Sequence, residues 1–393
     1  EAAPAGTGNL AEFESFIRNT SRADYFGYDV FGRENDGSGL DAPRHPTFGA
    51  AFIQDKIEYN DLIVNAGLRI DYFDVDSWRF KDPAAPIRNA TEFSIDLESM
   101  QKTRTFTELS PRLGFSFPVS DRTVFHVQYG RFSQMPALRS SFTGGARLAL
   151  ELGGQNLINN PSAFDLEPMR TTQYELGFEK QFSEVASFDI TGFYRDVKGQ
   201  IQMARQDVAS TAQNANAYNY FQNGDFATTK GVEFVLKVRR TNRLRSELYY
   251  TLSDARGSGS TTAAGLSGLE NASNVPTIIS PLDFNETHRG SIYFDYRFAE
   301  NDGGPILSEL GANLLLRFTS GHNFTYSDGS LGQTGPEDGG ILNSTDPRNR
   351  KPLESVNRST TPWTFQVDMR LDKGFNFMGL EAKAYTYIEN LFN

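Results

Sequence analysis

The chain of 393 residues contains no cysteine, which excludes disulfide bonds, thiolate nucleophiles and cysteine-bound zinc. It also lacks any apolar run of about 20 residues, so no membrane-spanning helix is expected. The net charge is −11 and no basic cluster is present, which argues against a nucleic-acid partner. The four histidines are scattered without metal-ligand spacing, and no serine, histidine and aspartate form a credible catalytic set. The sequence therefore predicts no enzyme, no metal and no other cofactor.

Aromatic residues are abundant, at 13% with 32 phenylalanines and 16 tyrosines, and many of them follow a two-residue period. Tyr174, Leu176 and Phe178, for example, alternate with Gln173 and Glu175. Successive side chains of a strand leave opposite faces of a sheet, so this period predicts strands with one apolar and one polar face. Similar segments recur along the chain and predict about twelve strands. Such strands fit either a water-soluble sandwich or an outer-membrane barrel.

Short and long connections alternate between the predicted strands without exception. In an antiparallel sheet this order puts every short turn at one end and every long loop at the other, as in bacterial outer-membrane barrels with periplasmic turns and longer outer loops. A sandwich has no reason for such sorting, and loops above about 15 residues are uncommon in compact soluble domains. The sequence therefore favours a transmembrane β-barrel over a soluble all-β fold. The predicted short turns lie near 59–61, 119–122, 181–186, 240–245, 299–309 and 374–379, and the long loops near 74–109, 133–170, 202–229, 256–286 and 325–361.

Four segments between residues 45 and 393 have a distinctive order and spacing. They are AFIQDKIEYNDLIVNAGLRIDYFD (51–74), SPRLGFSFPVSDRTVFHVQYGRFSQMP (110–136), NPSAFDLEPMRTTQYELGFEKQF (160–182) and VDMRLDKGF (367–375). Together they resemble barrel segments of the TonB-dependent receptors of the Gram-negative outer membrane. The terminal NLFN (390–393) resembles the sequence near the end of that family's second-last strand. The stretch PWTFQVDMRLDKGF is most similar to the Oar-like branch, whose members carry carboxypeptidase-regulatory-like N-terminal domains.

The resemblance implies an all-β fold in which this chain supplies part of a transmembrane antiparallel β-barrel. Its share would be about twelve strands of a barrel of about 22 strands, roughly the tenth to the twenty-first. Residues 1–44 would form an extracellular loop and the end of the preceding strand, and residues 45–393 the barrel portion. The family's plug domain, TonB box and last strand are not found in this sequence, so an open curved sheet is expected.

For function, the resemblance implies a receptor and transporter in the Gram-negative outer membrane. Outer loops would capture a scarce substrate too large for porins, and a plug would block the lumen until TonB, energised from the inner membrane, pulls on it. The expected partners are outer-membrane lipid, TonB with its energising complex, and an unidentified substrate. The sequence leaves two alternatives open, a passive porin and a surface-binding barrel with an adhesin or export role. A third, an outer-membrane hydrolase, lacks a credible set of serine, histidine and aspartate.

The polar registers of the strands predict a lumen wall. Charges of both signs occur there, which suits a lumen that holds protein or water better than a single-sign ion filter. Asp368 and Asp372 flank Arg370 on one strand face, and a salt-bridged wall explains them better than acid–base catalysis. The residues predicted to face the lumen are Arg69, Asp71, Arg112, His126, Glu175, Glu233, Lys237, Asp368 and Arg370. The register predicted to face lipid includes Leu62, Val64, Leu68, Phe115, Phe117, Phe365 and Val367, with Trp363 in the interfacial girdle.

Aromatic residues in the predicted long loops are candidate substrate-binding residues, because their rings supply large contact areas at low entropic cost. They are Trp78, Phe142, Tyr218, Tyr220, Phe221 and Tyr326. Packing of loop against loop is the alternative explanation for the same residues. The acidic stretch 34–41 is interpreted as a solvated loop, since it lacks the ligand spacing of an EF-hand.

Overall fold

Twelve long strands make one antiparallel sheet in which each strand pairs with its neighbour in sequence. This confirms the predicted all-β architecture and strand number. The computed structural model describes residues 12–13, 16–17, 26–28, 32–35, 37, 39–90, 94–142, 144–153, 162–209, 215–261, 277–328, 351–377 and 380–392. The strands are β1 (Thr47–Tyr59), β2 (Leu62–Asp74), β3 (Phe106–Ser120), β4 (Thr123–Gln134), β5 (Met169–Ser183), β6 (Ala186–Gln206), β7 (Tyr218–Thr241), β8 (Leu244–Gly257), β9 (His288–Arg297), β10 (Leu310–Thr319), β11 (Thr364–Phe377) and β12 (Leu380–Ile388).

The sheet is open, as expected. β1 and β12 form its two edges, and within the described part of the chain no further strand pairs with their outer sides. A bilayer offers no water to the backbone groups of a free edge, so both edges require partner strands in a membrane. Across the same described ranges, no helix is long and apolar enough to span a membrane.

The connections predicted to be short lie at one end of the sheet and those predicted to be long at the other. The alternation of lengths has one exception, because the connection 298–309 has twelve residues and the connection 207–217 has eleven. Two-residue turns join β1 to β2, β3 to β4, β5 to β6 and β7 to β8. Asn60 and Asn242 begin two of these turns with φ of 50° and 52°. Asparagine tolerates this left-handed conformation better than most residues, which favours tight hairpins at these points.

The bounds predicted for one long loop, 202–229, are wrong. β6 continues to Gln206 and β7 begins at Tyr218, so the connection is only 207–217. The register between these two strands shifts on either side of Gln200. Such irregularities interrupt the two-residue period, which explains why the sequence pattern ended too early. The two strands have 21 and 24 residues, whereas a barrel strand needs about 9–11 to cross a bilayer, so this hairpin extends beyond the membrane.

Cross-strand register divides the sheet into two faces. On the polar face, Gly67, Arg112, Gly130, Gln173 and Arg195 are successive partners across β2 to β6. All nine residues predicted to face the lumen lie on this face by the same register. The apolar face is the opposite one and carries the residues predicted to contact lipid, including Leu62, Val64, Leu68, Phe115, Phe117, Phe365 and Val367.

The buried apolar core lies among the long connections, here called the outer connections, at the end of the sheet opposite the two-residue turns. It is formed by the segments 75–105 and 135–153 together with residue 40 and the first residue of β7. Two short strands, Trp78–Phe80 and Met100–Lys102, pair with each other there, and the helix Gly145–Leu152 packs beside them. This loop core consists of Leu40, Phe80, Ile95, Met100, Leu148, Ala149, Leu152 and Tyr218. Most of segment 1–44 lies outside the described residues, but Asp41 accepts a hydrogen bond from Gly145 N–H at 2.8 Å, so its end contacts the same core.

Candidate functional site

A recess of about 380 Å³ opens on the polar face across β1 to β5. Its floor contains Gly67, Gly114 and Gly130, which occupy polar-face positions on three adjacent strands. Because glycine projects no side chain, the wall is hollow at Gly67 and Gly114, whereas the Phe132 ring covers Gly130, 2.9 Å from where its Cβ would lie. The polar side chains around this glycine recess are Gln54, Asn65, Arg112, Ser116, His126, Gln128 and Gln173.

Arg112 is the cation of the glycine recess. Its guanidinium carbon lies 4.7 Å from the centre of the Phe132 ring, so the side chain stacks on an aromatic face. No carboxylate lines the recess, and Arg112 makes no ion pair with any residue that the structure describes. A guanidinium has five N–H donors and no acceptor, and it binds carboxylate or phosphate in a bidentate manner. The recess therefore presents unused donors for an anionic or oxygen-rich group.

His126 lines the recess and is held by the neighbouring strands. Its Nε2 lies 3.2 Å from the Thr191 hydroxyl, which itself donates to Asp189 at 3.0 Å. Since the threonine proton is directed to Asp189, the Thr191 oxygen is free to accept a hydrogen bond from the imidazole. A side chain at Gly177 would lie 2.6 Å from the imidazole, so this glycine makes room for the ring.

Elsewhere on the polar face, two aspartates of β11 are paired with arginine or lysine. Arg317 bonds Asp368, while Arg297 and Lys383 both bond Asp372. Both aspartates are therefore ion-paired, and their role in the lumen wall stays a prediction. The nine predicted lumen residues share one face but not one cluster. Arg112 and His126 line the glycine recess, and Arg69 pairs with its own neighbour Asp71 at 2.7 Å. Glu175 lies on β5, Glu233 and Lys237 on β7, and Asp368 and Arg370 on β11.

The outer-loop aromatics behave mainly as packing residues. Tyr218 is 3% exposed, and its hydroxyl donates to the carbonyl of Pro83 at 2.9 Å. Trp78 and Tyr220 pack against the same loop core. Tyr218, Tyr220 and Phe221 were predicted to lie in a loop, and this is wrong, because all three belong to β7. Phe142 packs edge-on against Phe26, with ring centres 5.7 Å apart.

Tyr326 alone among the six candidate aromatics is exposed, at 49%. Its backbone N–H donates to the Glu354 carboxylate at 2.7 Å, which also accepts from the Ser359 hydroxyl at 2.9 Å. These hydrogen bonds, first that of Tyr326 and then that of Ser359, hold the pKa of Glu354 below its ordinary value. Tyr326 is thus a solvent-facing ring on a positioned backbone.

An ion-pair network connects two of the outer connections. Asp165 accepts the backbone N–H of Arg104 at 2.7 Å and also pairs with the guanidinium groups of Arg104 and Arg79. The bond to Asp165 raises the pKa of Arg104 above its ordinary value. Arg104 also reaches Glu167 at 3.1 Å. The network fixes the entry to β3 against the entry to β5.

Sequence reasoning missed the glycine recess as a site, although it placed its glycines on the polar register. The sequence contained an indication of this site, because each of β2, β3 and β4 has a glycine among the residues of its polar register. What sequence could not supply was the strand register that brings Gly67, Gly114 and Gly130 together.

The open two-faced antiparallel sheet, with short turns at one end and long loops at the other, defines a segment of a transmembrane β-barrel. The sequence family described as TonB dependent receptor-like, beta-barrel, matches residues 5–391. The chain therefore belongs to the TonB-dependent receptor family and is a protein of the Gram-negative outer membrane. The family is one of receptors and transporters, not of enzymes. The comparisons do not test the Oar-like branch, which stays a prediction.

Solved structures of outer-membrane receptors share this fold. The Serratia marcescens hemophore receptor HasR, solved as a double mutant with its hemophore HasA and heme, is 16% identical, with a TM-score of 0.52 over 90% of this chain and 49% of that chain. The ferric-catecholate import receptor Fiu from E. coli K12 is 14% identical, with a TM-score of 0.51 over 88% of this chain and 40% of Fiu. The FrpB iron transporter from Neisseria meningitidis is 13% identical, with a TM-score of 0.50 over 88% of this chain and 41% of FrpB. The chain thus spans less than half of each of these proteins. No match was found among curated proteins.

Proposed function

We propose that this chain forms part of the lumen wall of a receptor that takes up a scarce, large and polar substrate by TonB-coupled active transport. The observation that carries the proposal is the glycine recess with the unpaired guanidinium of Arg112. Asp372 of the wall is held in an ion pair with Arg297, whereas Arg112 is exposed and has no ion-pair partner among the described residues. A hollow with one free cation and several amides instead provides a weak binding site along a path for polar solutes.

The recess favours a substrate with carboxylate, phosphate or dense carbonyl and hydroxyl groups. Amide side chains offer both donors and acceptors, and Arg112 adds charge-assisted donors. The wall would act by binding and release, so transport is a conformational step and not bond chemistry. TonB and its inner-membrane energising complex would act through a plug that is not among these residues. HasR, Fiu and FrpB carry names that refer to heme, ferric catecholate and iron, which supports a large or scarce cargo without identifying it.

The coupling to TonB can be tested without knowing the substrate. Three strains are grown in one defined medium supplemented with spent-culture extract: wild type, a strain without the full-length receptor, and a strain without TonB. Mass spectrometry then measures which solutes each strain removes. A solute that only the wild type removes supports TonB-coupled uptake. If the strain without TonB removes the receptor-dependent solute as fast as the wild type, the protein is a passive channel and the proposal is wrong.

Two substitutions test the role of the recess. Gly114→Leu would fill it, since a Cβ there meets only ordinary contacts at 3.8 Å or more. Gly49→Leu is the matched control, because Gly49 lies on the apolar face with nothing within 4 Å of its Cβ position. Uptake of the receptor-dependent solute should fall about tenfold or more in Gly114→Leu and in Arg112→Gln, if a charge-assisted contact of about 1.5–3 kcal/mol is lost. Receptor abundance should stay unchanged in all three variants. Equal uptake in all of them would remove the recess from the transport path.

A further inference from the structure

Four exposed cations lie on the apolar face at the outer ends of the strands, where hydrocarbon-facing residues give way to polar ones. They are Arg131, Lys198, Lys230 and Arg256, here named the outer basic belt. Register assigns them to this face: Lys230 is the direct partner of Tyr194, and Arg131 of Thr172. Their position is notable because the chain as a whole carries a net charge of −11.

A row of tyrosines fixes the height of the belt. Tyr129, Tyr174 and Tyr194 are successive cross-strand partners, and Lys230 is the next member of the same row. Tyrosines on the outer surface of a barrel mark the boundary between hydrocarbon and headgroups. The part of β7 from Lys230 to the turn has about a dozen residues, close to the length of about 9–11 that crosses a bilayer. The belt therefore lies at the headgroups of the outer leaflet.

The belt carries an excess of positive charge. Arg256 pairs with Asp254, with Nε 3.1 Å from both carboxylate oxygens, and Lys198 pairs with Asp196 at 3.4 Å. Arg131 and Lys230 have no ion-pair partner among the residues that the structure describes. A lysine or arginine facing lipid is costly at the bilayer midplane but nearly without cost near the interface, so these cations are tolerated at this height. Their charge there is available to lipid.

We propose that the outer basic belt binds the phosphate groups of anionic lipids in the outer leaflet, with Arg131 and Lys230 as the principal contacts. The three tyrosines pack against the upper acyl chains, while the cations reach the phosphates above them. The proposal concerns the lipid-facing surface and is independent of the transported substrate. It would make this side of the barrel a site for ordered anionic lipid.

Lipid binding is measured on the full-length receptor in a nonionic detergent, with fluorescent phosphatidylglycerol and fluorescent phosphatidylcholine that carry the same acyl chains. The wild type should bind phosphatidylglycerol more tightly. The variant Arg131→Gln/Lys230→Gln should lose about fivefold in affinity for each cation, and so more than tenfold in total, since a basic residue near an anionic surface contributes about 1 kcal/mol. Its affinity for phosphatidylcholine should not change.

The matched control is Arg239→Gln/Arg289→Gln, which removes the same charge from exposed positions on the polar face. It should bind phosphatidylglycerol like the wild type. Equal affinity of the wild type for the two lipids, or an equal loss in the control, would overturn the proposal. Inorganic phosphate at the lipid's concentration should not compete, and if it competes fully, the site is one for free phosphate and not for lipid. Unchanged heat-modifiable mobility on electrophoresis establishes that each variant is folded.

Discussion

Arg297 of β9 and Asp372 of β11 form a bidentate ion pair across the strand between them, with nitrogen-to-oxygen distances of 2.7 and 2.9 Å. The intervening strand contributes Gly311 at this position, opposite both residues. A side chain on Gly311 would lie 2.6 Å from the guanidinium, so the glycine makes the pair possible. Lys383 approaches the same carboxylate at 3.0 Å.

Arg297→Gln is expected to destabilise the barrel, because the covered carboxylate of Asp372 keeps only Lys383. The loss should be about 1.5–3 kcal/mol, the range for hydrogen bonds to a charged group. The measurement is urea unfolding of the full-length receptor in detergent micelles. Gly311→Val should give a similar loss although it removes no charge, whereas Gly49→Val should give little. If Gly311→Val is as stable as the wild type, the ion pair between Arg297 and Asp372 does not depend on a glycine between them.

The two faces of β7 should differ sharply in their tolerance of charge. Phe234 lies on the apolar face near the middle of the membrane span, and the adjacent Val235 lies on the polar face. Phe234→Arg is expected to cost about 2–4 kcal/mol, because the guanidinium would enter hydrocarbon. Val235→Arg should cost much less. Folded receptor in outer-membrane fractions is the readout, and a greater loss of folded protein in Val235→Arg would reverse the assignment of the faces.

Tyr218→Ala is expected to loosen the outer loops without acting directly on substrate. The ring contacts Phe80 and Phe164, at 5.9 and 6.0 Å between centres, and removing a buried aromatic side chain costs about 3–5 kcal/mol. Limited proteolysis of intact cells should then show faster cleavage within 75–105 and 135–153. Tyr326→Ala, at the exposed ring, is the control and should leave cleavage unchanged. Normal protease resistance of Tyr218→Ala together with lost substrate binding would make Tyr218 a substrate contact.

Glu354 should order the backbone at Tyr326 only at pH values where it is ionised. Its pKa in the folded protein is lower than the unfolded value of about 4.3, so its contribution is complete above that value and is lost as the pH falls through the folded pKa. Hydrogen-exchange protection of the Tyr326 amide, corrected for the intrinsic rate, should stay constant from pH 7 to 5 and fall only at pH values below the unfolded value of about 4.3. Glu354→Ala should show low protection throughout. A wild-type decline that begins near pH 6 would assign the effect to another group.

In the segment 198–229, the sequence did not predict the correct ends of the strands. Strand alternation stops being clean at the register shifts around Gln200, and a loop was therefore predicted where β6 and β7 continue. Tyr218 was consequently predicted to lie in an exposed loop, whereas it occupies a buried position in a strand. The candidate site was affected in the same way, because Arg112 and Gly114 were assigned to the correct face but their neighbours across β2 and β4 were unknown.

The sequence by itself determined the number of strands, their two faces and which connections lie at each end of the sheet. These depend on the two-residue period of side chains along a single strand, which a sequence displays directly. Only the tertiary structure decided which polar residues meet. Arg297 pairs with Asp372, and Arg112 lines the glycine recess. Both arrangements depend on the register of strands that are far apart in the chain. A shift of one residue in that register would exchange the faces and separate the pairs, so the contacts between polar side chains belong to the assembled sheet.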